Sequence, residues 1–395
     1  MTEQSHIQTK ADKIWTKDFV LICLANFFIF LGFQMTLPTV PLFVEYLGGS
    51  EQSIGIVTGI FTFSALLLRP YAGHALESKG RRLIYMVGLA IFVFSVGSFG
   101  FAVSIAFLLI LRIIQGIGWS FSTTATGTIA TDLIPPKRRG EGMGYFGLSG
   151  NLAMAIGPAL GLTLAGSISF TNLFMICAGL GIIALGLSTR VRYKPVEPSL
   201  KRTAQGRFDI FEKTAIKPSL LLFFITVTFG GISSFLPLYT AQKNIAGIEM
   251  YFLIFAVFLM ITRTFAGRIY DTRGHIAIFL PGSFIILIAM ILLAWLPNSL
   301  VLFIAAALYG TGFGSVNPAL QAWSVNQAPN HRKAMANATF FSFFDLGVGV
   351  GAIAFGQIAF LFGYKDIYLA SAVSVFLSML LYILLLIKER NKQPK

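Results

Sequence analysis

Charge is scarce in this chain. Acidic and basic residues make up 12% of its 395 positions, against roughly a quarter in soluble domains. So little charge cannot cover a water-facing globular surface, and the composition excludes an ordinary soluble domain. Cysteine is nearly absent as well. Cys23 and Cys177 both fall inside apolar runs and read as small buried residues, not as a disulfide or metal pair. Histidine is limited to His6, His74, His275 and His331, in the N-terminal tail or beside basic segments. No HExxH, GxSxG or Walker phosphate loop occurs. Metal-hydrolase, serine-nucleophile and ATP-driven chemistries therefore lack their signatures, and no cofactor or metal site is expected.

What is abundant is apolar length. The chain is 55% hydrophobic with a mean hydropathy of +0.77, and holds thirty-nine phenylalanines and thirty-nine glycines. Crossing the hydrocarbon core takes about 20 mostly apolar residues. That ruler predicts twelve spans: Phe19–Pro41, Ile54–Leu76, Leu83–Val103, Ile105–Thr128, Met143–Ala165, Phe170–Ser188, Ser219–Thr240, Met250–Ile269, Ile276–Leu296, Leu300–Trp323, Ala334–Phe362 and Ile367–Ile387. The division is an N-tail 1–18, a six-span half 19–188, a middle loop 189–218, a second half 219–387 and a C-tail 388–395. The N-tail is polar and of mixed charge, so no cleavable signal peptide is expected.

Net charge of +14 would suit nucleic acid if the basic residues formed one patch. They flank the spans instead. With both termini in the cytoplasm, twenty-five of the thirty lysines and arginines fall on the inner side, only Lys243 and Lys365 fall outside, and Arg69, Arg112 and Arg263 lie within spans. Cytoplasmic loops carry such an excess. The topology is set accordingly, no nucleic acid is expected as a partner, and the basic middle loop reads as a solvated tether.

The chain also repeats itself. A shift of 194 residues brings Arg69, Gly73, Glu77 and Gly80 onto Arg263, Gly267, Asp271 and Gly274. The same shift relates Gly116 to Gly310, Gly118 to Gly312, Pro135 to Pro329, Arg138 to Arg332, Asn151 to Asp345 and Gly157 to Gly351. A single shift across about ninety positions is a duplication, and two six-helix halves in the same orientation form the parallel repeat of many secondary transporters.

These residues carry a resemblance. Gly73-x-x-x-Glu77-x-x-Gly80-Arg81-Arg82 is similar to the 2–3 loop motif of the major facilitator superfamily, with Ser78 where that motif has arginine. Leu108-x-x-x-Arg112-x-x-Gln115-Gly116-x-Gly118 resembles its fourth-helix motif. Ala153-x-x-x-Gly157-Pro158-x-x-Gly161 resembles the fifth-helix antiporter motif, with Ala153 and Leu162 where glycine is commoner. Leu31-Gly32 with Pro38 and Pro41 resembles the first-helix motif of drug exporters. The resemblance to the twelve-helix drug/proton antiporters implies an all-α membrane fold of two six-helix bundles in the cell membrane. It implies proton-coupled efflux of a small lipophilic or amphipathic compound by alternating access, with a monomer as the expected working unit. Uptake of a small metabolite is the alternative.

Candidate residues follow. Gly73, Glu77, Gly80, Arg81 and Arg82, with Gly267, Asp271 and Gly274, form either a pair of inner-gate latches or loops that only set topology. Glycine at these turns admits backbone angles other residues avoid. Arg112 has no partner in its own turn, and its repeat mate is Ala306. An arginine inside a membrane helix costs at least ~2.5–3.5 kcal/mol and faces the protein interior. The resemblance implies a place near proton transfer, against a structural hydrogen-bonding role. Asp345, near the middle of span eleven, is the first candidate proton carrier, since a carboxylate out of water can take up and release a proton; the alternative is a structural carboxylate. Asp132 is the second candidate, or else pairs with Arg138 or Arg139. Gly157, Pro158 and Gly161 read as a hinge or as plain close packing. Asn26, Gln34, Gln115, Tyr309, Asn317 and Gln321 are candidate cavity residues. Phe223, Phe224, Phe229, Phe313 and Trp323, with Tyr309, would give an apolar wall suited to lipophilic cargo.

Overall fold

The computed structural model describes residues 13–135, 138–193, 211–329 and 332–390. Among them every regular element is helical. Twelve helices are long and apolar enough to cross a membrane: α1 Lys17–Tyr46, α2 Glu51–Lys79, α3 Arg81–Ser98, α4 Ile105–Leu133, α5 Arg139–Ala165, α6 Phe170–Thr189, α7 Ile216–Gln242, α8 Ile248–Arg273, α9 Ile276–Ala294, α10 Ser299–Asn326, α11 Lys333–Phe362 and α12 Tyr364–Arg390. Most outrun the expected spans by a turn or more, because a helix does not stop where hydrocarbon gives way to headgroups. Short 3-10 turns extend α3 at Phe99–Phe101 and precede α7 at Lys213–Ala215.

Local chemistry sets the ends. Ser104, Ser169 and Asn298 each accept a backbone N–H three residues on, at the starts of α4, α6 and α10, satisfying donors that have no partner inside the helix. The 2–3 connection is a single residue, Gly80, at φ 93°, and the 8–9 connection turns at Gly274, φ 72°. Both angles strain any residue with a Cβ. The repeat mates Gly73 and Gly267 lie inside α2 and α8 with open space beside them, so the turn proper is only the second glycine of each motif.

By packing, the chain forms two compact units: Met1–Thr36 with Ser64–Ala204, and Leu37–Phe63 with Gln205–Lys395. The same glycines weld the same helices in each. In unit 1, a Cβ on Gly118 would meet the Gly88 carbonyl at 2.9 Å, joining α4 to α3; in unit 2, one on Gly312 would meet the Gly282 carbonyl at 2.7 Å, joining α10 to α9. Gly157 lets α5 approach α1, its Cβ position being 2.5 Å from Gln34 Cβ. Gly351 lets α11 approach α7, 2.5 Å from the Val227 carbonyl. Small residues permit this contact where apolar burial gives membrane helices no reason to associate.

Unit 2 also contains the ends of α1 and α2 remote from the basic loops. There α2 and α11 meet backbone to backbone. A Cβ on Gly55 would lie 2.6 Å from the Ala352 carbonyl, and one on Gly356 would lie 2.7 Å from the Glu51 carbonyl. Gln52 donates to Gln357 at 2.8 Å, and the Tyr364 hydroxyl donates to Glu51 at 3.4 Å.

Candidate functional site

In unit 1 the candidate polar residues lie on α1, α4 and α5. Asn26 donates to Ser149 Oγ at 2.9 Å. One turn further along α1, Phe30 and Phe33 lie against Trp119 of α4, with the Phe33 ring stacked at 3.9 Å and 26°. Beyond that aromatic layer come Gln34 on α1 and Gln115 on α4, both buried. Gln34 Oε1 and Gln115 Nε2 find no hydrogen-bond partner among the described residues. Arg112 is 1% exposed and donates to Gln115 Oε1 at 2.7 Å. The expectation that Arg112 lacks a partner in its own turn is therefore corrected: Gln115, one turn on, accepts from it. The layer Arg112–Gln115–Gln34 offers fixed positive charge and amide groups that remain neutral at every pH.

In unit 2 the aromatic wall divides. Phe229, Phe313 and Tyr309 form one cluster with Phe255 and Phe344, and the buried Tyr309 hydroxyl bonds to Thr228 at 2.9 Å. Trp323 does not join them: it lies at the basic end against His275. Phe223 and Phe224 pack on each other. Asn317 is buried, and Gln321 donates to Asn337 of α11 at 2.8 Å, so that side chain ties α10 to α11. Asp345 is half-buried near the middle of α11, directly after Phe344 of the aromatic cluster.

At the basic ends, Arg81 Nε donates to Asp132 at 2.9 Å, joining the first residue of α3 to the last turn of α4. Asp132 is thus paired with Arg81, one of the latch candidates, while the Arg139 side chain falls outside the described residues. Gly80 turns α3 back beside α4 and so gives Arg81 its reach, and Arg138 directs two donors to Glu141, at 2.9 Å each. Arg82 is exposed. Glu77 and Asp271 lie on helical backbone, but their side chains fall outside the described residues. The hinge candidates Gly157 and Gly161 both provide close contact with α1, and α5 runs unbroken through Pro158.

One buried polar contact escaped the sequence reading. Glu212, at the end of the middle loop, is 5% exposed and forms an ion pair with Arg332. Its backbone N–H donates to Thr339 Oγ1, and its carboxylate accepts from the Thr214 amide and hydroxyl. Burial alone would raise its pKa; the Thr214 donors and the Arg332 guanidinium outweigh it and hold the carboxyl below 4.5. This end of the loop is an anchor and not a solvated tether. The available signal was an acid one residue before Lys213-Thr214. Trp119, four residues after Gln115 and so on the same helix face, could have been placed beside the candidate polar residues in the same way.

The family model of the Major Facilitator Superfamily matches residues 22–352 and 279–395. An MFS-type transporter of Methanocaldococcus jannaschii is 27% identical over 90% of this chain and 95% of its own length. The staphylopine export protein of Staphylococcus aureus is 24% identical, over 87% and 89%, and a homologue of the multidrug efflux pump PmrA in Lactococcus lactis is 24% identical, over 93% and 94%. Among solved structures, a point mutant of the nucleoside transporter NupG superposes with a TM-score of 0.77 at 14% identity, over 92% of this chain and 99% of that one. That likeness concerns the fold alone.

Proposed function

The chain belongs to the major facilitator superfamily, and from that premise we propose that it exports a small lipophilic or amphipathic organic compound in exchange for protons. It is a membrane transporter of small molecules, not an enzyme. The observation that carries the export reading is similarity to named exporters along nearly the whole chain. The structure supplies parts that suit it. Aromatic layers around Trp119 in unit 1 and Phe313 in unit 2 would take up apolar cargo. Asp345, the one acid placed in the middle of a span, would carry the proton, and Arg112, which keeps its charge at working pH, would bias that carboxylate or order water. Both termini and the basic loops lie in the cytoplasm on this reading, in the cell membrane, with one chain as the working unit.

Alternating access then requires the contact of α2 with α11 around Gly55 and Gly356 to break and re-form, with Glu77 and Asp271 as the candidate latches of the basic ends. Everted vesicles loaded with a panel of compounds test the proposal. Accumulation that collapses when an uncoupler is added supports proton-driven export. Accumulation indifferent to the uncoupler overturns it, and proton-driven movement in the opposite direction turns the chain into an uptake porter.

A further inference from the structure

His275 begins α9 directly after the Gly274 turn, yet its side chain does not cap the helix. The imidazole turns into unit 2 instead. Its face lies on the Trp323 indole of α10, with centroids 4.1 Å apart and planes 12° from parallel. Its Nδ1 is 2.7 Å from the Tyr382 hydroxyl of α12. Tyr382 is fully buried and meets the Trp323 ring edge-on at 6.1 Å and 87°, and Phe279 at 4.4 Å. One ring therefore ties three helices together. The repeat shows what this arrangement replaces. A shift of 194 places His275 on Arg81 and Asn326 on Asp132. Unit 1 closes this corner with an ion pair, and unit 2 closes it with the one side chain whose ordinary titration falls between about pH 5 and 8.

Neither Ile276–Ala294 of α9 nor Ser299–Asn326 of α10 contains a charged residue. On α12 the first charge beyond Tyr382 is Lys388, exposed to solvent. On α8, Arg273 is exposed, and Arg268 and Asp271 have side chains outside the described residues. Among the ring's partners are an indole face and a phenol.

We propose that His275 is a proton-binding site, and that its occupancy sets how tightly α9 holds α10 at the basic end. Either ring nitrogen can take the proton. If Nδ1 accepts from the Tyr382 hydroxyl, protonation reverses that hydrogen bond; if Nδ1 already donates, the proton goes to Nε2 and the bond stays. In both cases the imidazolium lies over the indole as a cation–π pair, which is stronger than the contact of the neutral rings. Trp323 follows Gln321 and Asn317 on α10, so the pH on this side of the membrane reaches the helix that carries candidate cavity residues. The site is separate from Asp345 and does not depend on transport being driven by protons.

An imidazolium stacked on an indole quenches its emission, which gives a direct readout on the full-length protein in detergent. Tryptophan emission is titrated from pH 8.5 to pH 5 in wild type, His275→Gln and Trp323→Phe. Wild type is expected to lose emission in one step between about pH 5 and 8, and both variants are expected to lose that step. A flat wild-type profile overturns the proposal, as does a step that survives in either variant. Trp323→Phe keeps a ring under the imidazole, so the test stands even where His275→Gln fails to fold. The emission step is independent of any cargo: if it appears while vesicle export ignores the uncoupler, only the antiport reading fails.

Discussion

The basic ends of the two units hold the same places in the repeat and are closed by different chemistry. In unit 1, Arg81 and Asp132 form an ion pair and Arg138 pairs with Glu141. In unit 2, His275 packs between Trp323 and Tyr382, and Arg332 reaches the buried Glu212. The packing beneath them hardly differs, since Gly88 with Gly118 and Gly282 with Gly312 bring equivalent helices into backbone contact. Where the duplicated frame needs shape, both copies keep it, because a side chain at those glycines has nowhere to go. Where it needs only some favourable polar contact at a loop, the copies have diverged. Differences of chemistry between the units are therefore the better guide to what each one does.

The largest effect expected from erasing such a difference is at Asp345, whose repeat mate is Asn151. Asp345→Asn makes unit 2 resemble unit 1 there and removes the one acid in the middle of a span. Export driven by a pH gradient should disappear while cargo binding, measured by equilibrium dialysis, remains. Full export by the variant would eliminate Asp345 as the carrier.

Next is Glu212. Taking away one partner of a buried ion pair costs about 3–5 kcal/mol, and the part-exposed Arg332 places Glu212→Ala towards the lower figure. Thermal unfolding in detergent should show a clear loss of stability. The sign of the pH dependence is determined by the lowered pKa. The stabilisation is complete above the unfolded value of 4.5 and is lost as pH falls through the lower folded value. Wild type should therefore lose stability below about pH 4.5 by a margin that Glu212→Ala lacks. Equal pH profiles for the two proteins would show that the pair contributes little.

The glycine welds should respond alike in both units. At Gly118 and at Gly312 a Cβ would come within 2.7 Å of backbone, so Gly118→Val and Gly312→Val should each cost about 1–3 kcal/mol by overpacking. The measurement is again thermal unfolding, and what matters is the equality of the two losses. A tolerant site in one unit would mean that the shared frame has loosened there.

How much of this was legible in sequence depends on the kind of contact. Twelve spans and the duplication were legible, because span length and a constant 194-residue shift are properties of the chain alone. Gly80 and Gly274 were legible as turns for the same reason. The partner of Asp132 was not: Arg81 lies 51 residues away, and three other basic residues follow Asp132 within seven positions. Glu212 was hidden because an acid in a basic loop looks solvated until Thr214, Thr339 and Arg332 surround it. The aromatic wall was over-read into one surface, with Trp323 included. Membrane helices are apolar all round, so hydrophobic pattern does not indicate which face meets which neighbour.

The smallest effect expected separates the two arginines that the repeat makes equivalent. Arg138 and Arg332 occupy one repeat position, and each has a carboxylate partner. In the Arg138–Glu141 pair both side chains are more than two-fifths exposed, whereas the Glu212 side chain is 6% exposed. Water screens the first pair and already solvates its members, so an exposed pair of this kind contributes about 0–1 kcal/mol. Glu141→Gln should leave thermal stability nearly unchanged, and its small loss should vanish in high salt. Glu212→Gln, measured alongside, should retain most of its loss in salt, because the dry carboxylate site is poorly screened. Equal losses in the two variants would mean that the middle-loop anchor carries no more energy than a surface ion pair, and burial would then not be what distinguishes the two halves at this position.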